Sequence, residues 1–309
     1  MSNYIKHIPL KSNFVSVAWY IGSVCNYSCS YCRPEYHDGK IKFPNDYNDF
    51  SRFISKLKER NPDRKIFLTM YGGEVTLWNK FEEFLDYCKT NQISIRLITN
   101  GARSISWWKR NISKIYALII SYHHEFATEK HITEVMKLTE SKGQVNLLIP
   151  PEDFDEVVAM GKRISENAKV FVIPKFLRKE LTEKLYPYTP EQLEFFQTVK
   201  FGVQYANANQ GDFRYGGFFE HKDDGTVEKY NNTRQLHLQG LNKWQGWKCW
   251  GGIDSFYIDY ASNVFVGQCK LGKMFNLKDE YELKTEPFIC EKVFCNCSQD
   301  MMDSRKEKV

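Results

Sequence analysis

The chain has 309 residues, of which 42% are apolar, 15% aromatic and 26% charged, and a net charge of +5. This is about two domains' length, and the composition excludes both a disulfide miniprotein and a disordered chain. A charge so small and scattered calls for neither nucleic acid nor a membrane as partner.

In chain order, short β-branched or aromatic runs alternate with helical periodicity. The predicted strands are Val15 to Tyr20, Lys65 to Met70, Ser94 to Thr99, Ile115 to Ser121, Val145 to Ile149 and Val170 to Ile173. Between them lie amphipathic stretches: Tyr47, Phe50, Ile54 and Leu57; Phe81, Phe84, Leu85 and Cys88; Phe154, Val157, Val158, Gly161 and Ile164. Six βα units with right-handed crossovers curl into an open barrel or a wound sheet, with ligands at the carboxyl ends of the strands. The reading is α/β: a partial (β/α)6 barrel over residues 1–200, then a small α+β domain over 201–309.

The second unit is rich in Gly, Asn and aromatic residues. Asp223-Asp224-Gly225-Thr226 signals a turn, and Ser255 to Ile258, Ala261-Ser262-Asn263 and Val264 to Val266 read as a β-hairpin. Phe213, Tyr215, Phe218, Phe219, Trp244 and Trp247 either line a substrate cleft or form the core of a small domain. The charged tail from Asp300 onward is expected to fray. The longest apolar stretches, such as Tyr116 to Ile120, fall far short of the roughly 20 residues that span a bilayer, and the amino terminus has no apolar signal core. The expectation is a soluble, cytoplasmic protein.

Nine cysteines in tight groups point, in a reducing compartment, to metal binding or catalysis before disulfides. Cys25, Cys29 and Cys32 form a C-x3-C-x2-C triplet just after the first strand. Three thiolates on one loop suit a four-iron cluster whose fourth iron stays open to a small molecule. A zinc site completed by His37 is the alternative. Cys88, on the apolar face of its helix, reads as a core residue.

This triplet, with Tyr31 before its last cysteine, resembles the signature of the radical S-adenosylmethionine (SAM) superfamily. Tyr71-Gly72-Gly73-Glu74 resembles the family's GGE motif at the end of the second strand, and Thr99-Asn100-Gly101 ends the third. The resemblance covers roughly Val15 to Lys175. It implies a 4Fe-4S cluster on Cys25, Cys29 and Cys32 and SAM chelating the open iron. Reductive cleavage would then give a 5'-deoxyadenosyl radical that abstracts a substrate hydrogen. It implies an external electron donor such as flavodoxin or ferredoxin. Tyr31, Gly72, Gly73, Glu74, Thr99, Asn100, Ser121 and His123 are the candidate SAM-binding residues. The glycines let backbone approach the ligand, and Glu74 either accepts the ammonium of SAM or caps the following helix. Ser121 and His123 touch SAM or substrate, or simply end a strand in solvent.

Cys249, Cys269, Cys290, Cys295 and Cys297 form a second group. The stretch from Cys249 to Cys269 resembles the opening of SPASM or twitch extensions, which carry auxiliary 4Fe-4S clusters. Here Ser262-Asn263 replaces the usual hairpin glycine, and the cysteines fall short of the full SPASM pattern. Five thiols are enough for one auxiliary cluster and one spare, with Cys249 and Cys269 as ligands and two of the other three completing the set. The spare thiol is a substrate-facing acid or base, or inert. A zinc or mixed thiol site is the other reading of this group. The resemblance implies an oxidoreductase or related radical-based modifying enzyme acting on a small alcohol, sugar or nucleotide, or alternatively on a ribosomal peptide or protein. The contrasting class is a non-enzymatic iron-sulfur electron carrier or zinc-stabilised binding protein.

Overall fold

The structure, a computed structural model, describes residues 3–9, 13–140, 142–179, 184–198, 218–230, 233, 236, 240–295 and 297–309. The strands are β1 (Tyr4–Pro9), β2 (Phe14–Tyr20), β3 (Lys65–Tyr71), β4 (Ser94–Thr99), β5 (Ala117–Tyr122), β6 (Gly143–Ile149) and β7 (Phe171–Phe176). They continue with β8 (Phe218–Lys222), β9 (Val227–Tyr230), β10 (Lys248–Cys249), β11 (Ser255–Ile258), β12 (Asn263–Phe265), β13 (Lys273–Asn276), β14 (Phe288–Ile289) and β15 (Lys306–Glu307). The helices are α1 (Asn48–Arg60), α2 (Phe81–Thr90), α3 (Ile105–Asn111), α4 (Glu129–Lys137), α5 (Phe154–Ala168), α6 (Pro190–Thr198) and α7 (Ser298–Asp303).

Strands β2 to β7 are parallel neighbours in chain order, within a nine-stranded sheet ordered β13-β12-β11-β2-β3-β4-β5-β6-β7. The sequence runs match because each strand turns alternate residues under the helices. Val15, Val17, Leu68, Met70, Leu97, Ile120, Val145, Leu147 and Val172 are buried in one core with Phe50, Phe53, Leu57, Phe84 and Leu85. Cys88 belongs to this core and is fully buried, as its helical position predicts. The sheet is open, so a partial barrel fits it.

The hairpin at 255–265 forms as expected, with β11 antiparallel to β12. Its first strand also pairs in parallel with β2, Ser255 opposite Ser16 and Ile258 opposite Trp19, so the hairpin extends the barrel sheet. A second sheet, ordered β14-β10-β15-β1-β8-β9, joins the two ends of the described chain. Its strand β1 was not anticipated.

The tail from Asp300 onward is not frayed. Helix α7 turns toward the sheet face opposite the helices, where Ser16 Oγ donates to Asp303 Oδ2 at 2.7 Å. Strand β15 then pairs with both β1 and β10. Asp300, Met301, Ser304 and Lys306 are all buried. Their charges and polar groups find partners in the fold, which a count of charged residues does not foresee.

Phe213 and Tyr215 lie outside the described residues, as does the boundary expected at 200/201. Phe218 and Trp244 are packed with Tyr230, Leu236 and Met301 in a small separate core, with Trp247 against it. Core, not cleft, is therefore their role. Among the described residues no helix is long and apolar enough to cross a membrane.

Candidate functional site

The loop after β2 carries Cys25, Cys29 and Cys32 to the carboxyl ends of the parallel strands, where all three line one cavity. Several contacts fix that loop. Ser23 N donates to Ile41 O at 2.9 Å, Ser23 Oγ to Asp38 Oδ1 at 3.0 Å, and Cys32 N to Cys29 O at 3.0 Å. Glu125, a residue not singled out in the sequence, clamps the same loop by accepting from Ser30 N at 3.0 Å and Ser30 Oγ at 2.5 Å.

Gly72 and Gly73 follow β3 on the same cavity, with φ of 115° and 48°. Both angles lie where side chains are disfavoured. A Cβ on Gly73 would meet Val24 O at 2.3 Å, and one on Gly72 would meet the Tyr20 ring at 2.7 Å. The glycine pair thus allows β3 to cross the start of the cysteine loop, and Glu74 N donates to Val24 O at 2.8 Å across that crossing.

Glu74 itself does not reach the cavity wall. It is 1% exposed, and its carboxylate accepts from Thr76 N (3.1 Å), Thr76 Oγ1 (2.6 Å), Thr99 Oγ1 (2.7 Å) and Asn100 N (2.7 Å). It caps the turn of 3-10 helix at Val75–Leu77 and fastens the exit of β4. Thr99 and Asn100 do line the cavity. Asn100 Nδ2 donates to Asn26 Oδ1 at 2.9 Å and lies 4.0 Å from Cys25 Sγ.

Ser121 in β5 and His123 just after it line the cavity as well. His123 Nδ1 is 2.6 Å from the Tyr31 hydroxyl and 3.3 Å from Cys29 Sγ, and the two rings stack with an interplanar angle of 12°. Burial lowers the His123 pKa to about 4, against the opposing pull of Glu125, so the ring is neutral and its Nδ1 shares a hydrogen bond with the Tyr31 hydroxyl. Burial likewise raises Cys29 to about 12 and Cys32 to about 11, and raises Cys25. Tyr27, Tyr36, Tyr71 and His37 complete an aromatic wall.

The carboxy-terminal cysteines divide four to one. Cys249, Cys269, Cys290 and Cys295 line a second, small cavity with Asp300 and Lys306. Each is held by its own backbone. Cys249 sits in β10 opposite Lys306, and Cys290 N donates to Trp247 O at 2.9 Å. Cys295 N donates to Asn242 O at 2.9 Å, and Cys269 N to Asp300 Oδ2 at 2.7 Å. Cys297 is not on this wall, and its thiol donates to Gln268 Oε1 at 3.6 Å. Burial raises Cys269 to about 12 and Cys295 to about 11, the charge of Lys306 opposing the rise at Cys295.

Both cavities offer soft thiol donors, which suit iron-sulfur clusters. Among the described residues no three Cys, His, Asp or Glu side chains are grouped tightly enough for a single metal ion.

In comparison with known proteins, residues 19–118 match the model of the Radical SAM superfamily. Native anSMEcpe with bound AdoMet is 17% identical at a TM-score of 0.50, the match covering 86% of this chain and 78% of that one. Streptococcus suis SuiB bound to S-adenosylmethionine is 14% identical, also at 0.50, over 87% of this chain and 64% of SuiB. Both are likenesses of fold. No curated protein sequence matches the chain. The three-cysteine loop, the glycine pair and Thr99–Asn100 all fall inside the segment that matches the Radical SAM superfamily model.

Proposed function

We propose that this chain is a radical SAM enzyme in which Cys25, Cys29 and Cys32 hold a four-iron cluster and SAM occupies the adjoining cavity. The observation that carries the reading is the convergence of three thiols, Gly72–Gly73, Asn100 and Ser121 on one cavity at the carboxyl ends of β2 to β5. What a four-iron cluster and SAM supply there is one-electron cleavage of the sulfonium and hydrogen abstraction by the resulting 5'-deoxyadenosyl radical. SAM bound in the two neighbours of similar fold supports the same occupant here.

The chain's residues prepare that site. Tyr27 N donates to Cys25 Sγ at 3.4 Å, while Tyr31 and His123 hold Cys29 in place. Burial keeps the three thiols neutral, so metal loading must expel their protons. An electron carrier would need neither an open iron nor the glycine crossing beside it.

Residues 201–309 are read as a twitch-like unit whose auxiliary four-iron cluster is held by Cys249, Cys269, Cys290 and Cys295, with Cys297 spare. The aromatic wall of Tyr27, Tyr36 and Tyr71 suits a small alcohol, sugar or nucleotide, since sugar faces and bases stack on such rings. A flavodoxin or ferredoxin is the proposed electron donor.

The test is iron and sulfide content after anaerobic reconstitution, followed by an assay for 5'-deoxyadenosine with SAM and dithionite. About eight irons per chain with deoxyadenosine formed is the expected result. About four irons with product would remove the auxiliary cluster, and full clusters without product would favour an electron carrier. Deuterium transfer into deoxyadenosine from labelled small molecules, but not from labelled peptides, is the expected substrate pattern, and the reverse would make the substrate a peptide.

A further inference from the structure

Lys306 is 3% exposed and shares the small cavity with Cys249, Cys269, Cys290 and Cys295. Its Nζ donates to two backbone carbonyls, Asp300 O at 3.1 Å and Ser304 O at 2.9 Å, and lies 4.6 Å from the centre of the Trp244 ring. These contacts aim the ammonium without neutralising it. The acidic side chain on that wall, Asp300, turns its oxygens to Gln268 N and Cys269 N at 2.9 and 2.7 Å. A buried cation is costly unless an anion faces it. The cavity beside Lys306 is walled by four thiols, and a tetrathiolate cluster is such an anion.

We propose that Lys306 tunes the auxiliary cluster, its ammonium favouring the reduced state and so raising the cluster's midpoint potential. This rests on the reading of Cys249, Cys269, Cys290 and Cys295 as cluster ligands. The step concerned is the uptake of one electron, which adds one negative charge to the thiolate-ringed site and removes none. A fixed positive charge at the wall attracts the more negative state more strongly, and net charge is among the levers that set such potentials. Lys306 is thus a positioning and charge-bearing residue, distinct from the ligands.

The experiment uses the full chain with Cys25, Cys29 and Cys32 all changed to Ala, so that only the second site can carry iron. In this background about four irons per chain are expected, and the potential is read by spectroscopic titration with dithionite. Lys306→Met keeps the length of the side chain and removes its charge, and should shift the midpoint to a more negative value. Lys306→Arg should hold it near the parent. An unchanged midpoint in Lys306→Met, with iron retained, overturns the tuning role and leaves the cluster assignment intact. No iron in the parent background overturns the cluster assignment itself. Should Lys306→Met lose iron, Lys306→Gln decides, since its amide can still donate to a carbonyl without charge. A lowered midpoint there supports tuning, while an unchanged midpoint or renewed loss of iron overturns it.

Discussion

Thr99 Oγ1 donates to Glu74 Oε1 at 2.7 Å, and the next amide, Asn100 N, donates to Glu74 Oε2 at the same distance. One buried carboxylate thereby joins the exits of β3 and β4. Through Asn100 it also sets the position of Asn26 in the cysteine loop. Glu74 acts on the site by holding its walls together.

The first prediction follows from that placement. Changing Glu74 to Ala leaves Asn100 N, Thr76 N and two hydroxyls without their buried acceptor, and should destabilise the chain by on the order of 3 kcal/mol. The loss should appear in denaturant melts of the chain free of iron and SAM. Equal stability of the two chains, with only SAM affinity reduced, would instead put the Glu74 carboxylate on the ligand.

Gly73 gives the second. At φ 48° a Cβ costs roughly 1–2 kcal/mol in backbone strain alone, and here it would also lie 2.3 Å from Val24 O. Gly73→Ala should therefore push the cysteine loop away and cut the iron bound by the first site, while the second site keeps its own. Full iron in that variant would mean that the crossing can relax.

Much of this was legible from the chain. The continuous β-branched and aromatic runs from Val15 to Tyr20 and from Lys65 to Met70 give parallel strands buried on both faces, and the cysteine and glycine spacings mark the loops at their ends. The Ser262 turn, at φ 66°, gives the hairpin. Its parallel pairing with β2 was not legible, since it links Ser255 to Ser16 and no local pattern records so distant a partner. The same holds for β1, six residues whose neighbours are β8 and β15. Asp300 and Lys306 were misread because charge in a tail ordinarily means a solvated tail, whereas here Asp300 is buried against the amides of Gln268 and Cys269 and Lys306 sits in a strand paired with β1 and β10.

The third prediction concerns pH. His7 and Glu220 are a buried pair, with Nδ1 2.6 Å from Oε1 and Nε2 2.5 Å from Met301 O. The carbonyl requires a proton on Nε2, so Nδ1 accepts, and the proton between the pair sits on Glu220. Burial raises Glu220 from 4.5 to about 8 and drives His7 well below 6.5. Between pH 4.5 and 6.5 the folded pair holds one proton, on Glu220, and the unfolded chain also holds one, on His7. The pair then contributes no slope. Between 6.5 and 8 only the folded state keeps its proton, so stability from this pair falls as pH rises. Glu220→Gln, whose amide can still donate to Nδ1, should abolish that fall and introduce a rise below 6.5. Denaturant titrations at pH 5, 6.5 and 8 test this, and parallel curves for the two chains would place the proton elsewhere.

The last prediction separates Cys297 from the other four carboxy-terminal cysteines. Its thiol donates to Gln268 and is absent from the wall shared by Cys249, Cys269, Cys290 and Cys295. A ligand lost from a four-iron cluster removes about four irons, and so Cys249→Ser, Cys269→Ser, Cys290→Ser and Cys295→Ser should each fall to about half the parent iron. Cys297→Ser should keep it all, because the serine hydroxyl can still donate to Gln268. If it keeps the iron and still forms deoxyadenosine but yields less product from substrate, the thiol acts on the substrate. Full turnover would make it inert, and iron loss equal to that of the other four would return it to the ligand set.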